Sequence, residues 1–206
     1  MTLPVTKHAV DDRRVIHHEL GHWLMAREMG FSVGQIFIQR MSGKASGHAT
    51  VYPRASSRLC KAEAVDDYIS SRIRVLLAGS IVEIEWYKKT FGAALGKQLD
   101  RFYENPVIDH SGIGDKGKAE ELLVILAGIR KEPTAKHNFL PDQIRVLFLE
   151  IYRDTKLIVE TFLEKLFILA DLVESEPWQN YKTLPVEHER LTELADTAAG
   201  IVASTS

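Results

Sequence analysis

The segment His17-His18-Glu19-Leu20-Gly21-His22-Trp23 carries the residue types and spacing best suited to chemistry in this chain. Within it, His18, Glu19 and His22 spell H-E-x-x-H. Residues four apart on a helix share a face, one turn above the other, so His18 and His22 can direct two imidazoles at one ion. Glu19 leans over the same point, where a carboxylate can take a proton from a metal-held water. Neutral imidazole suits zinc, and two histidines plus one carboxylate leave a coordination position open for water. That is a hydrolytic arrangement. The bland reading of the same letters is two satisfied core or surface histidines beside an incidental glutamate.

Such a site needs a rigid helix beneath it. Asp11 and Asp12 offer a start, Val15, Ile16, Leu20, Trp23, Leu24 and Met25 offer apolar surface, and Gly30 offers a stop. Together they predict a helix over 11–29. Gly34 to Gln39 is β-branched and aromatic and reads as a strand. Ser42-Gly43-Lys44 signals a turn, and Gly47 to Tyr52 reads as a second strand closed by Pro53. The resulting hairpin either presents an edge to an extended peptide or only covers one side of the core.

A second helix is expected from Ala62 to about Lys89, because Ile69, Ile73, Leu76, Leu77, Ile81 and Ile84 recur at three- and four-residue steps. Ala78-Gly79-Ser80 places small residues on it, which would let the motif helix approach closely. Glu83 lies one turn beyond Gly79. It reads either as an outer carboxylate that orients a ligand imidazole, as an alternative metal ligand, or as a salt-bridged glutamate. Next come a break near Phe91-Gly92, a short helix over 99–103, a turn at Asn105-Pro106 and a glycine-bracketed loop from His110 to Asp115. A helix then runs to about Arg130. At its start, Asp115 reads as an N-cap or as an oriented, ionised carboxylate suited to a metal.

After a linker over 134–140, Pro141 is expected to open a long amphipathic helix to Glu174. Its apolar stripe is Ile144, Phe148, Ile151, Ile158, Phe162, Leu166, Leu169 and Val173. Thr183 to Leu194 reads as a loop and a short final helix, with frayed last residues.

The chain has 206 residues, enough for a single domain, with the metal-site part at 1–133 and a C-terminal helical part at 134–206. Its net charge of −2 implies no general attraction to nucleic acid. The single cysteine, Cys60, excludes an internal disulfide and a cysteine-rich zinc finger, and it fits a reducing compartment. No apolar run follows a basic start, as a signal peptide would require. The apolar stretches near Val75 and Phe162 are too short or too charged to span a bilayer. The expectation is therefore a soluble, cytoplasmic protein. It also lacks G-x-x-x-x-G-K-[ST], so no intrinsic ATPase is expected.

Four segments give the chain a resemblance to the peptidase domain of the FtsH family, the membrane-anchored ATP-dependent zinc proteases. His18-Glu19-Leu20-Gly21-His22 is similar to that family's H-E-A-G-H, and Gly34 to Pro53 resembles the segment that follows it. Leu77-Ala78-Gly79-Ser80-Ile81-Val82-Glu83 is similar to L-x-G-G-R-x-A-E-E. Ser111-Gly112-Ile113-Gly114-Asp115 resembles T-G-A-S-N-D. The departures are Ala78, Ser80, Ile84 and Gly114, and a longer stretch over 85–110. What the resemblance implies is a mainly helical, zincin-like fold (α+β with one small β-hairpin) that binds zinc through His18, His22 and Asp115. Glu19 would be the general base and Glu83 a supporting residue. Unfolded polypeptides would be the substrates, held beside a strand edge.

The expected function is a zinc-dependent endopeptidase for unfolded or flexible chains. With no counterpart of the family's ATPase module or membrane anchor, it would work alone or with a separate ATPase or unfoldase, and it could form a homo-oligomer. The alternatives are a regulatory metallopeptidase with one specific protein target and a catalytically silent module that binds peptides or partners.

Overall fold

The computed structural model describes residues 7–41, 44–55, 58–92, 113–130 and 140–205. In chain order the elements are α1 (Lys7–Glu28), β1 (Ser32–Met41), β2 (Lys44–Tyr52), α2 (Ala62–Phe91), α3 (Ile113–Ile129), α4 (Leu140–Glu174), β3 (Thr183–Val186) and α5 (His188–Thr205). The chain is mainly helical, with a small antiparallel sheet of strand order β2-β1-β3.

Helix α1 is the centre of the packing. Val15, Ile16, Leu20, Trp23, Leu24 and Met25 are all buried. The helix starts at Lys7 rather than at Asp11, so the two aspartates lie inside it and do not open it. Their charges are used for pairing. Asp11 accepts from Arg14 at 2.9 Å and from the backbone N–H of Ala45, and Asp12 accepts from Arg40 at 2.9 Å. After α1 the chain turns at Gly30, whose φ of +74° lies in the left-handed region that glycine enters without strain. The Trp23 indole N–H then donates to the Gly34 carbonyl at 2.9 Å, fixing the path from helix to sheet.

Both hairpin strands run further than the sequence pattern suggests. They pair from Ser32↔Tyr52 to Met41↔Lys44, with a register shift between Val33 and Ile36. The second correction concerns the C-terminal region, where a loop was expected from Thr183. Residues 183–186 form a strand on the far side of β1, from Ile36↔Val186 to Gln39↔Thr183. Pro185 masks this strand in the sequence. A proline removes a ladder donor, which an edge strand tolerates. Arg40 locks the segment down, lying 3.7 Å from the Trp178 ring centre and donating to the Tyr181 carbonyl at 3.0 Å. The final helix is not short or frayed, because Leu191, Leu194, Ala195 and Ala198 bury one face of α5.

Helix α2 crosses α1 at small residues. A Cβ on Gly21 would sit 2.8 Å from the Ala78 carbonyl oxygen, so the two backbones approach as closely as glycine allows. Ile69, Ile73, Leu77, Ile81 and Ile84 of α2 are buried, while Leu76 is half-buried. On α4, Ile151, Phe162, Leu166, Leu169 and Val173 reach the core, and Ile144, Phe148 and Ile158 are half-buried at its margin. The expected helix over 99–103, the turn at Asn105-Pro106, the loop from His110 and the linker over 134–140 lie outside the described residues, the last two except for their final residues. Among the described residues no helix is long and apolar enough to cross a membrane.

Leu184 is fully buried, so Leu184→Ala should cost about 2–5 kcal/mol of stability in a denaturant titration. A loss under about 0.5 kcal/mol, typical of surface sites, would show that β3 is not packed as described.

Candidate metal centre

Three side chains from two helices converge. His18 and His22 come from adjacent turns of α1, and Asp115 comes from the first turn of α3. The His22 Nε2 lies 3.0 Å from His18 Nε2 and 3.1 Å from Asp115 Oδ2, and His18 Nε2 lies 3.5 Å from the same oxygen. Ligands each about 2.0 Å from a tetrahedral ion stand about 3.3 Å apart, and these separations bracket that value. Asp115 is the third residue of α3, so its carboxylate is not an N-cap. It points back from the helix start toward the histidines.

The far side of each ring is held by an acceptor. His18 Nδ1–H donates to Glu83 Oε2 at 3.0 Å, and His22 Nδ1–H donates to the Val75 carbonyl at 2.7 Å. These partners set both tautomers, leaving the two Nε2 lone pairs facing each other and the carboxylate. Three acceptors therefore meet with no donor between them, an arrangement that calls for a cation. Two neutral imidazoles and one carboxylate are the donor set that zinc takes when a position is kept for water. Thus His18, His22 and Asp115 form a group that could hold a metal ion.

With a proton as the only cation, the same demand falls on His18. Burial opposes charge on that ring. Hydrogen bonds to Asp115 and Glu83, with the charges of Glu19 and Glu83, outweigh burial and push the imidazole up to about 10. Burial likewise opposes ionisation of Asp115, but the contacts with His18 and His22 hold its carboxyl well below the usual carboxylate range. A metal would displace the proton.

Glu83 is 1% exposed and joins His18 to a second residue. Besides His18 it accepts from Arg14 Nη1 at 3.2 Å. The two readings of Glu83 as imidazole partner and as salt-bridged residue therefore describe one side chain. It contacts the nitrogen of His18 that faces away from Asp115. Arg14, also buried, was not singled out by sequence reasoning. Its position one turn before His18, on the same face of α1, is the signal that could have found it. Asp11 lies three residues before Arg14. The chain Ala45–Asp11–Arg14–Glu83–His18 thereby couples strand β2 to the site.

Two glycines make room. A Cβ on Gly79 would meet His22 Cε1 and Nε2 at 2.6 Å and His18 Nε2 at 2.9 Å. On Gly47 it would meet Val15 Cγ1 at 2.7 Å and Glu19 Cγ at 2.9 Å. Glu19 itself is mostly buried, but it lines an open cleft of about 420 Å³ with His22, Asp115 and the β2 residues Gly47, His48, Ala49 and Val51. Among the described residues it makes no hydrogen bond, so its carboxylate is available to a molecule in the cleft.

His17 is a core residue. It packs 5.3 Å from the Trp86 ring and 5.7 Å from Phe167, and its Nδ1–H donates to the Arg13 carbonyl at 2.7 Å. His17 therefore takes no part in the convergence of His18, His22 and Asp115.

No protein-family model matches the chain, and no curated protein matches it. The geometry above is what bears on function.

Two outcomes follow. Gly79→Ala should weaken zinc binding by at least about tenfold, the scale seen when ligand orientation is disturbed, with the helical circular dichroism intact; an unchanged zinc Kd would contradict the packing described. The His17 pKa is lowered to about 4, chiefly by burial, against 6.5 as the ordinary value. Between those values the unfolded chain binds the extra proton, so stability falls as pH drops from 6.5 toward 4. The loss reaches about 3 kcal/mol. His17→Phe should remove that part of the pH dependence in paired denaturation curves. Parallel curves would place His17 in water.

Proposed function

We propose that this chain is a zinc-dependent endopeptidase acting on unfolded or flexible polypeptides. The observation that supports the reading best is the convergence of two tautomer-fixed Nε2 atoms and a carboxylate beside the free carboxylate of Glu19, all at one open cleft. When bound, zinc would lower the pKa of water and polarise a scissile carbonyl.

The chain's own residues would do the rest. His18, His22 and Asp115 would hold the ion, and Glu83 would keep the His18 ring turned toward it. Glu19 would take the proton from the attacking water and pass it to the leaving amine. Strand β2 is an edge of the sheet among the described residues, and its residues Gly47, His48, Ala49 and Val51 line the cleft. Unpaired backbone groups there suit an extended peptide laid alongside. Gly47 keeps the strand close to Glu19, so the backbone of such a peptide would pass near the base.

The resemblance of His18 to His22, of Leu77 to Glu83 and of Ser111 to Asp115 to FtsH-family segments favours the same reading, including its zincin-like character. By that analogy a separate unfoldase would deliver folded substrates, while flexible chains would enter unaided.

Glu19→Gln should retain stoichiometric zinc and lose roughly 10²–10⁴-fold in the rate of casein cleavage, the range for removing a general acid–base group. Cleavage at the wild-type rate would remove Glu19 from the role assigned to it.

A further inference from the structure

The wall of the cleft opposite β2 carries a cation with no counterion among the described residues. Arg72 of α2 lines the cleft with Glu19, His22 and Asp115. It lies one turn before Val75, whose carbonyl receives the His22 N–H, so Arg72 and the histidine share that wall. Several other arginines are matched by acids, whereas Arg27, Arg54, Arg58, Arg74 and Arg145, like Arg72, have no ion pair among the described residues. Arg13 pairs with Glu174, Arg14 with Glu83, Arg40 with Asp12, Arg130 with Asp66 and Arg190 with Glu176. Arg72 is half-buried, and no carboxylate lies within ion-pair distance of it among the described residues.

Across the cleft mouth, Lys118 of α3 adds a second cation, 3.8 Å from Asp115 Oδ1. The only carboxylates lining the cleft among the described residues are Glu19 and Asp115. In the reading above one is the base and the other a metal ligand. Neither neutralises Arg72. The cleft lining thus sets two cations against two carboxylates, with Lys118 paired to Asp115 and Arg72 without an ion-pair partner among the described residues.

We infer that Arg72, assisted by Lys118, binds a carboxylate of the substrate next to the bond presented to Glu19. A guanidinium offers two parallel N–H donors that match a carboxylate, and the partly enclosed cleft strengthens such a pair relative to open water. The substrate class is therefore a peptide carrying an acidic side chain or a free C-terminal carboxylate near the scissile bond. This specificity rests on the peptidase reading, but its binding step can be measured apart from turnover.

The test uses zinc-loaded full-length Glu19→Gln protein and three peptides of one length, each carrying an uncharged boron-dipyrromethene dye, read by anisotropy. One has an internal glutamate and an amidated C-terminus. Another has alanine there and a free C-terminus. The last has alanine and an amidated C-terminus. Either carboxylate-bearing peptide should bind at least about tenfold more tightly than the uncharged one, and the first two arms tell side chain from terminus. Adding Arg72→Ala should erase the difference while leaving the affinity for the uncharged peptide unchanged, and Arg72→Lys should restore part of it. Arg72→Gln serves the same purpose should the alanine variant lose its helical signal. Equal affinities for all three peptides, no measurable binding of any, or a preference that survives Arg72→Ala would overturn the inference. Failure of the wild-type protein to cleave any peptide would strike the peptidase reading instead, since the binding ratio is read without cleavage.

Discussion

The structure depends on forcing three electron-pair donors of like polarity to within 3.5 Å of one another. Left to themselves, two imidazole lone pairs and a carboxylate oxygen would turn apart. They stay because each is anchored from behind and because packing leaves the rings nowhere to go. The hydrogen bonds to Glu83 and Val75 fix the ring faces, and the backbone of α2 at Gly79 blocks retreat. A buried cluster of acceptors is costly unless a cation sits among them. This cost gives the site its chemical meaning.

The surrounding fold is built to hold one helix still. Helix α1 is pressed against α2 through Gly21 and against β2 through Gly47. It is also stapled by charge: Asp12 to Arg40 of β1, Arg13 to Glu174 at the end of α4, and Arg14 to Glu83 of α2. The Glu83–Arg14 pair is the one most deeply buried. Breaking such a pair leaves an uncompensated interior charge, which is worth several kcal/mol, so the carboxylate behind His18 is also a structural element. Site geometry and stability are not separable here.

What the sequence made legible was periodic or chemically specific. The H-E-x-x-H helix, the long α2 stripe and the α4 stripe follow from spacing alone, and Ala78-Gly79-Ser80 announced the close crossing. Asp115 could be assigned only as one of two possibilities, because its approach to His22 spans 93 positions of chain, and no local pattern encodes that. Strand β3 was missed for a local reason: it is four residues long and contains Pro185. Its strand character comes from pairing with β1. The start of α1 was placed too late because Asp11 and Asp12 look like caps, when their role is to bind Arg14 and Arg40. Arg14 was overlooked because a buried arginine is legible only once its acidic partner is located.

The central claim is that these three side chains ligate one divalent cation. Crystals grown with zinc, with data collected on both sides of the zinc absorption edge, test it most directly. The account predicts an anomalous peak about 2.0 Å from His18 Nε2, His22 Nε2 and a carboxylate oxygen of Asp115, with Glu83 still on the opposite nitrogen of His18. Rings rotated apart and no peak between them, in crystals soaked with excess zinc, would contradict it.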